Sequence, residues 1–178
     1  MNWNVVVCVY QNGFTRALHA LQEFGAVERS PYYNVLQMKV EDPQALLAAI
    51  ERRTEENPAL YDAISRVAPA MREFEFHSAE EFKQNATAVL LEWSPRLAGR
   101  SFHVRLHRRG ARHGLRTSEA ERFLDDALLD ATALAGVSGK ISFTDPDAVI
   151  VIDTIDDRAG MGLWTREHLA RHRLLRPD

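Results

Sequence analysis

The sequence of 178 residues contains a single cysteine, Cys8. Without a second cysteine no disulfide bond can form within the chain, so the fold must be held by its core. Cys8 lies in an apolar, β-branched run where it is predicted to be a small buried side chain rather than a reactive thiol, since no cation lies close to it in sequence. A buried thiol of this kind is compatible with the cytoplasm, the compartment that we expect for this protein.

Long hydrophobic runs are also missing. The run around Cys8 is far shorter than the roughly 20 apolar residues that cross a bilayer, and neither a basic leader nor a cleavage site accompanies it. We therefore expect no membrane segment and no targeting peptide. Glycine and proline are sparse, at 9 and 7 residues, and with 46% hydrophobic and 26% charged residues the composition is typical of a globular protein. The length suits one ordinary domain or two small ones.

Acidic residues are absent from residues 95–117, a segment that contains seven arginines and three histidines. The whole chain, by contrast, has a formal net charge of -3. Residues 1–92 carry 8 basic and 13 acidic side chains, whereas residues 93–178 carry 14 and 12. Solubility requires net charge but not clustering, so this basic segment predicts a surface for an anionic partner.

The first half of the chain alternates strand and helix patterns. The predicted elements are a strand at 4–10, a helix at 15–24, strands at 27–33 and 34–40, a helix from 43, and an extended segment at 64–76. Asp42-Pro43 is a typical helix start, while Pro69 indicates an edge or a break in the last strand. The order β-α-β-β-α-β predicts a ferredoxin-like domain over residues 1–77.

The second half predicts an α/β domain over residues 78–178, and the two halves together an α+β fold. Its predicted elements are a helix from 79 that Pro95 closes, a strand at 101–108, a helix from 118 to 134, strands at 148–155 and 161–164, and a basic helix at 165–175. Ser78 with Glu81 and Ser118 with Glu121 have the spacing of capping boxes. The strand at 101–108 alternates apolar with cationic residues, so one of its faces is expected to be solvated and positively charged.

The basic segment is the strongest candidate for a binding site. Arginine suits phosphate because its planar guanidinium donates two hydrogen bonds at once and is permanently charged. The helix predicted to begin near Ser118 adds free backbone N–H groups to the same region. A solvated charged loop is the alternative, but such a loop normally mixes charges of both signs. The residues that we predict to bind phosphate groups, for example those of a nucleic acid, are Arg105, Arg108, Arg109, Arg112 and Arg116, supported by Arg100 and His113.

Other candidate chemistries are weaker. His168 and His172 stand four apart on a predicted helix, but neighbouring arginines would repel a metal cation. Asp153, Asp156 and Asp157 lie at a strand end, where turn formation is the ordinary role of aspartate. The sequence shows no nucleophile elbow, phosphate-binding loop or dinucleotide fingerprint. We therefore predict no catalytic residues, no cofactor and no metal.

Four segments of the second half occur in a characteristic order: Ser101-Phe-His-Val-Arg-Leu-His-Arg-Arg-Gly110, Ser118-Glu-Ala-Glu-Arg-Phe-Leu124, Asp145-Pro-Asp-Ala-Val-Ile-Val-Ile152 and Gly160-Met-Gly-Leu-Trp164. Through these segments the second half resembles a THUMP domain, an RNA-binding module of thiouridine synthases, RNA methylases and pseudouridine synthases. Through 4–10, 24–25, 64–69 and 74–82, the first half resembles the ferredoxin-like domain that precedes THUMP in such proteins.

Together the two halves look most like the stand-alone THUMP proteins that serve as tRNA-binding adaptors for cytidine acetylation. This resemblance implies that the chain binds the acceptor end of tRNA and presents it to a separate modifying enzyme, such as a cytidine acetyltransferase. Because the sequence ends soon after the THUMP-like region, we expect it to be a non-enzymatic accessory protein. Two alternatives stay open: a regulatory module that binds a small anionic ligand, and a self-contained RNA-modifying enzyme.

Overall fold

A computed structural model describes residues 1–110 and 113–177. By their internal contacts these residues form two units, the first comprising Met1–Met71 with Leu169–Arg176 and the second comprising Arg72–His168 with Pro177. None of the helices in the described part of the chain is both long and apolar enough to cross a membrane.

The first unit contains the β-α-β-β-α-β order expected from the sequence. Its elements are β1 (Val5–Val9), α1 (Phe14–Leu21), β2 (Ala26–Arg29), β3 (Val35–Lys39), α2 (Pro43–Glu56), a short 3-10 helix (Pro58–Asp62) and β4 (Ile64–Pro69). The strands form one antiparallel sheet in the order β2-β3-β1-β4, which is the order of a ferredoxin-like sheet. The Asp42 carboxylate caps α2 as predicted, accepting hydrogen bonds from the N–H groups of Gln44 and Ala45.

The second unit is a five-stranded mixed sheet with two long helices. Its elements are β5 (Arg72–Glu75), α3 (Ala79–Leu97), β6 (Ser101–His107), α4 (Thr117–Leu134), β7 (Lys140–Ile141), β8 (Ala148–Ile155) and β9 (Arg158–Thr165), after which α5 (Arg166–Arg171) runs from this unit into the first. The strand order is β5-β9-β8-β6-β7, with β6 parallel to both β7 and β8 and the other pairs antiparallel. All eight residues of β8 are buried.

The extended segment predicted at 64–76 is two strands in the structure. β4 pairs with β1 in the first sheet, whereas β5 pairs with β9 in the second. The chain therefore passes between units at residues 71–72, rather than at the predicted boundary of 77–78. Residues 169–176 join the first unit because the C=O of Leu174 accepts a hydrogen bond from the N–H of Val67 on β4. This pairing also ends the last helix earlier than its predicted limit, Leu175.

Three predicted element ends are wrong by a few residues. α3 continues past Pro95 to Leu97. Pro95 has no N–H to donate to the C=O of Leu91, and the hydroxyl of Ser94 donates to that C=O instead. β9 begins at Arg158, since the chain reverses within a tight hairpin at Asp156, whose φ is 51°. α4 begins at Thr117, one residue before the predicted Ser118.

Candidate functional site

The basic segment is distributed over both ends of β6. Arg100 immediately precedes the strand, and Arg108 immediately follows it. At about 3.3 Å per strand residue, their Cα atoms lie roughly 25 Å apart. Arg100 therefore lies at one end of the second sheet, whereas Arg108, Arg109 and His113 lie at the opposite end.

Arg109 is turned into the protein and paired. Its guanidinium Nη1 lies 3.0 Å from Oδ1 of Asp153, and 13% of the arginine side chain is exposed. Its backbone N–H donates to Oγ1 of Thr154 at 3.0 Å, and its C=O accepts the N–H of Asp156 at 3.0 Å. These bonds fasten the start of the loop after β6 to the β8–β9 hairpin.

His113 is held by the same hairpin. Its Nε2 lies 2.5 Å from Oδ1 of Asp157, and 15% of its side chain is exposed. The ring packs edge-on against Phe76, with 5.5 Å between the ring centroids. The basic segment itself contains no acidic residue. The acidic partners of Arg109 and His113 come instead from the β8–β9 hairpin, 44 residues away in sequence. Asp153 and Asp157, predicted only to shape a turn, also counter this segment's charge.

The expectation of a solvated cationic face on β6 is wrong for its histidines. His103 is buried, and Nε2 of His107 forms a hydrogen bond of 2.7 Å with the C=O of Pro177. Arg105 is the exception, since 43% of its side chain is exposed and its Nη1 lies 3.9 Å from the carboxylate of Glu121. Packing against neighbouring segments, which strand alternation does not reveal, covers the two rings.

Strand β7 pairs with only the first two residues of β6. Beyond them, carboxylates on α4 accept hydrogen bonds from the backbone N–H groups of β6. Asp125 accepts the N–H of Val104 at 2.8 Å, and Glu121 accepts the N–H of Leu106 at 2.9 Å. The predicted capping box at Ser118 is therefore wrong, because Glu121 bonds to the strand. Burial raises the pKa of Asp125 to about 6; the hydrogen bond from Val104 opposes this shift, and the charges of Glu121 and Asp126 add to it.

A set of accessible cations surrounds the start of α4. Arg116, at the N-cap of this helix, is exposed, and no side chain among the described residues caps the helix there. The exposed Arg108 donates to the C=O of Gly110, at 2.7 Å, and Arg112 lies outside the described residues. We call the set the basic surface, and it consists of Arg105, Arg108, Arg116 and Arg122.

Arg122 was missed by the sequence analysis because it lies beyond the basic segment, within an amphipathic helix. In the structure it lines a cavity of about 380 Å³ together with Arg105 and Ser118. The cavity brings the end of β6 beside the first turns of α4. No pattern within either element alone indicates this neighbourhood.

Arg100 belongs to a different groove, of about 660 Å³, at the other end of the sheet. Arg96 and Arg166 also line it, and neither was predicted as a site residue. Arg166 is paired with Asp145 at 2.8 Å and with Asp147 at 3.3 Å. Hydrogen bonds from the N–H and hydroxyl of Ser101 lower the pKa of Asp147.

The two histidines considered as metal ligands have separate partners. Nδ1 of His168 accepts the N–H of Thr165 at 3.1 Å, and Nδ1 of His172 lies 2.8 Å from the carboxylate of Glu51. Across residues 1–110 and 113–177, no group of three histidine, cysteine or acidic side chains is arranged to hold a metal ion.

Comparison with known proteins identifies the fold. No protein-family model matches the sequence, and no curated protein matches it either. Among solved structures, a Pyrococcus horikoshii protein, PH1313, aligns at 16% identity and TM-score 0.62 over 90% of this chain and 54% of its own. A 4-thiouridine synthetase in complex with RNA and bound ATP aligns at 14% identity and TM-score 0.52 over 90% of this chain and 41% of its own.

A third similar structure is a predicted N6-adenine-specific DNA methylase from Listeria monocytogenes. It aligns at 12% identity and TM-score 0.55, over 90% of this chain and 40% of its own. The chain thus spans about half or less of the length of the three proteins. The predicted α+β class is confirmed, and the fold is similar to THUMP-domain structures.

The expected function requires correction. The sequence resemblance implied a non-enzymatic adaptor, whereas the solved structures with this fold include a synthetase and a protein described as a methylase. The 4-thiouridine synthetase was, in addition, crystallised with RNA. The non-catalytic adaptor role and the classification as a non-enzyme are therefore withdrawn.

Proposed function

We propose that this chain works in enzymatic tRNA modification and that its residues bind the RNA substrate. The observation that carries the proposal is the likeness of 90% of the chain to a 4-thiouridine synthetase that was crystallised with RNA. The basic surface supports it independently, because it consists of permanent cations that remain accessible in a chain of net charge -3.

Phosphate groups of tRNA contact the basic surface. Arg108 and Arg116 are exposed, and Arg105 is half-exposed with a long ion pair of 3.9 Å to Glu121. The N-terminus of α4 adds backbone N–H groups and the positive end of the helix dipole beside Arg116. Such contacts fix the position of an RNA without reading its sequence.

The predicted site residues then divide into two roles. Arg109 and His113, both paired with aspartates of the β8–β9 hairpin, hold the loop in place rather than contacting phosphate themselves. Arg100 contacts a separate part of the RNA, because it lies at the other end of β6. The proposal includes two expectations from the sequence analysis, namely that the chain binds the acceptor end of tRNA and that it works in the cytoplasm.

The binding half of the proposal is tested by replacing Arg108 and Arg116 together with alanine. Loss of two phosphate contacts should weaken tRNA binding in a fluorescence polarisation assay and reduce the slope of log K against log salt by about two. Arg52→Ala is the matched control, since it removes an exposed arginine from α2 in the first unit. An affinity and a salt slope equal to those of the wild type would refute the assigned surface.

The enzymatic half is tested in cells with and without the gene for this chain. Mass spectrometry of tRNA nucleosides should show the loss of one modified nucleoside, restored by the wild-type chain and less well by the double arginine variant. An unchanged set of modified nucleosides would contradict a role in tRNA modification. The result is independent of the binding assay, so the two halves can fail separately.

A further inference from the structure

An aromatic side chain that sequence analysis did not connect with the basic segment lies in the cavity beside it. Phe143 follows β7 and is 75% exposed. Backbone bonds fix its neighbour, because the N–H of Ser142 donates to the C=O of Phe102 at 3.0 Å and the Ser142 hydroxyl donates to the C=O of Thr144 at 2.8 Å. The ring is therefore presented to solvent from an ordered loop, which lowers the entropic cost of binding to it.

His103 supports this ring from within the sheet. The two ring centroids are 5.4 Å apart, with 49° between the ring planes, and His103 itself is 8% exposed. One side of Phe143 thus contacts a buried ring while the remainder of its surface stays accessible. A supported aromatic ring with an accessible surface suits the stacking of a planar ligand.

The cavity that contains Phe143 also carries charges of both signs. It is the cavity of about 380 Å³ described above, and Arg105, Arg122 and Asp126 are among its lining residues. Within residues 1–110 and 113–177, the side chains of Arg122 and Asp126 form no hydrogen bond or ion pair with another residue. The carboxylates of Glu121 and Asp125 are already bonded to β6, so Asp126 is the acidic side chain left to meet a ligand.

We propose that this cavity, the Phe143 cavity, binds one unpaired nucleotide of RNA. The base stacks on Phe143, the arginines contact its phosphate, and Asp126 accepts a hydrogen bond from the base edge. The three groups match the three parts of a nucleotide, namely a planar base, an anionic phosphate and a donor-bearing edge. The inference rests on the proposed RNA-binding function and assigns to the same unit a site for a single unpaired base.

The chemistry of the cavity predicts a preference among bases. A carboxylate accepts hydrogen bonds from the exocyclic amino group of adenine, which carries two N–H donors where the edge of uracil carries one at N3, and a purine also stacks over a larger area. Oligoadenylate should accordingly bind more tightly than oligouridylate. Asp126→Ala should reduce this difference while leaving the stacking on Phe143 in place.

The experiment compares a single-stranded oligoadenylate with a blunt RNA duplex. Phe143→Ala should weaken binding of the single strand about ten-fold, the loss of one stacked base, without changing binding of the duplex. Phe143→Trp should retain the affinity, and the fluorescence of the new indole should be quenched by the single strand but not by the duplex. Leu134→Ala is the matched control, because Leu134 is 87% exposed at the end of α4 and does not line the cavity.

The possible results separate the two proposals. If Phe143→Ala binds the single strand as the wild type does, or if the indole fluorescence added by Phe143→Trp does not respond to the single strand, the Phe143 cavity is refuted. If tRNA and duplex binding still depend on Arg108 and Arg116 in that case, the proposed function stands. If no RNA binds at all, the Phe143 cavity and the RNA-binding half of the proposed function are both refuted.

Discussion

Arg109 and Asp153 form an ion pair inside the second unit, with 3.0 Å between Nη1 and Oδ1 and only 13% and 4% of their side chains exposed. Asp153 stands opposite His107 in the parallel β6–β8 ladder, and Arg109 follows His107 by two residues. The pair shows that an arginine of the basic segment is part of the interior. Clustered charge in the sequence is therefore not the same as charge on the surface.

Arg109→Ala should destabilise the protein strongly. The substitution removes a cation that lies 3.0 Å from the buried carboxylate of Asp153, and breaking such a buried pair costs about 3–5 kcal/mol of unfolding free energy. Urea denaturation followed by circular dichroism measures the change. Arg108→Ala is the neighbouring control and should stay within about 0.5 kcal/mol, because Arg108 is exposed. Equal stability of the two variants would contradict a structural role for the Arg109–Asp153 pair.

Two serines with the same capping-box spacing should respond differently to substitution. The Ser78 hydroxyl accepts the N–H of Glu81 at 3.0 Å at the start of α3, so Ser78→Ala should cost about 1 kcal/mol. Ser118 lies inside α4, whose start has no side-chain cap among the described residues, so Ser118→Ala should change stability by less than about 0.5 kcal/mol. Thermal unfolding of both variants checks this; a larger loss for Ser118→Ala would contradict the observed start of α4.

Asp125 should make stability depend on pH. Burial raises its pKa to about 6 from an ordinary 3.8, so the folded state favours the protonated carboxyl. The protonated carboxyl of Asp125 contributes fully to the folding stability below a pH of about 4, and this contribution is lost as the pH rises through about 6. Asp125→Asn removes this titration. As the pH rises from about 4 to about 7, the unfolding free energy of the variant should therefore increase by roughly 1–3 kcal/mol relative to that of the wild type. Urea denaturation at both pH values measures it; a pH-independent difference would disprove the assignment.

Much of the fold could be predicted from the sequence because its signals are local. The β-branched run at Val5–Val9 indicates a strand by itself, and Asp42 and Ser78 mark helix starts through bonds to N–H groups only two or three residues away. Errors arose where a distant segment decided the outcome. Residues 64–76 look continuous in sequence, but β4 and β5 pair with strands of different sheets.

The candidate site was predictable only as a concentration of charge. The absence of acidic residues between 95 and 117 indicated an anionic partner, yet the sequence could not show which cations stay accessible. Arg109 and His113 are largely covered, and their partners are Asp153 and Asp157, each 44 residues from the side chain that it meets. Arg122 was overlooked because it is one polar residue on a long amphipathic helix.

The sequence by itself determined a chain with two α/β halves, a helix-start signal at Asp42 and at Ser78, and a basic segment in the second half, because each of these depends on residue type and short-range spacing. Tertiary structure alone decided what that segment presents to a ligand. Folding pairs Arg109 and His113 with aspartates, leaves Arg108 and Arg116 exposed, and carries Phe143 to the ring of His103. The reason is physical, because the exposure and pairing of a side chain depend on which residues, distant in sequence, lie within a few ångströms of it. Strand pairing decides which distant residues come that close.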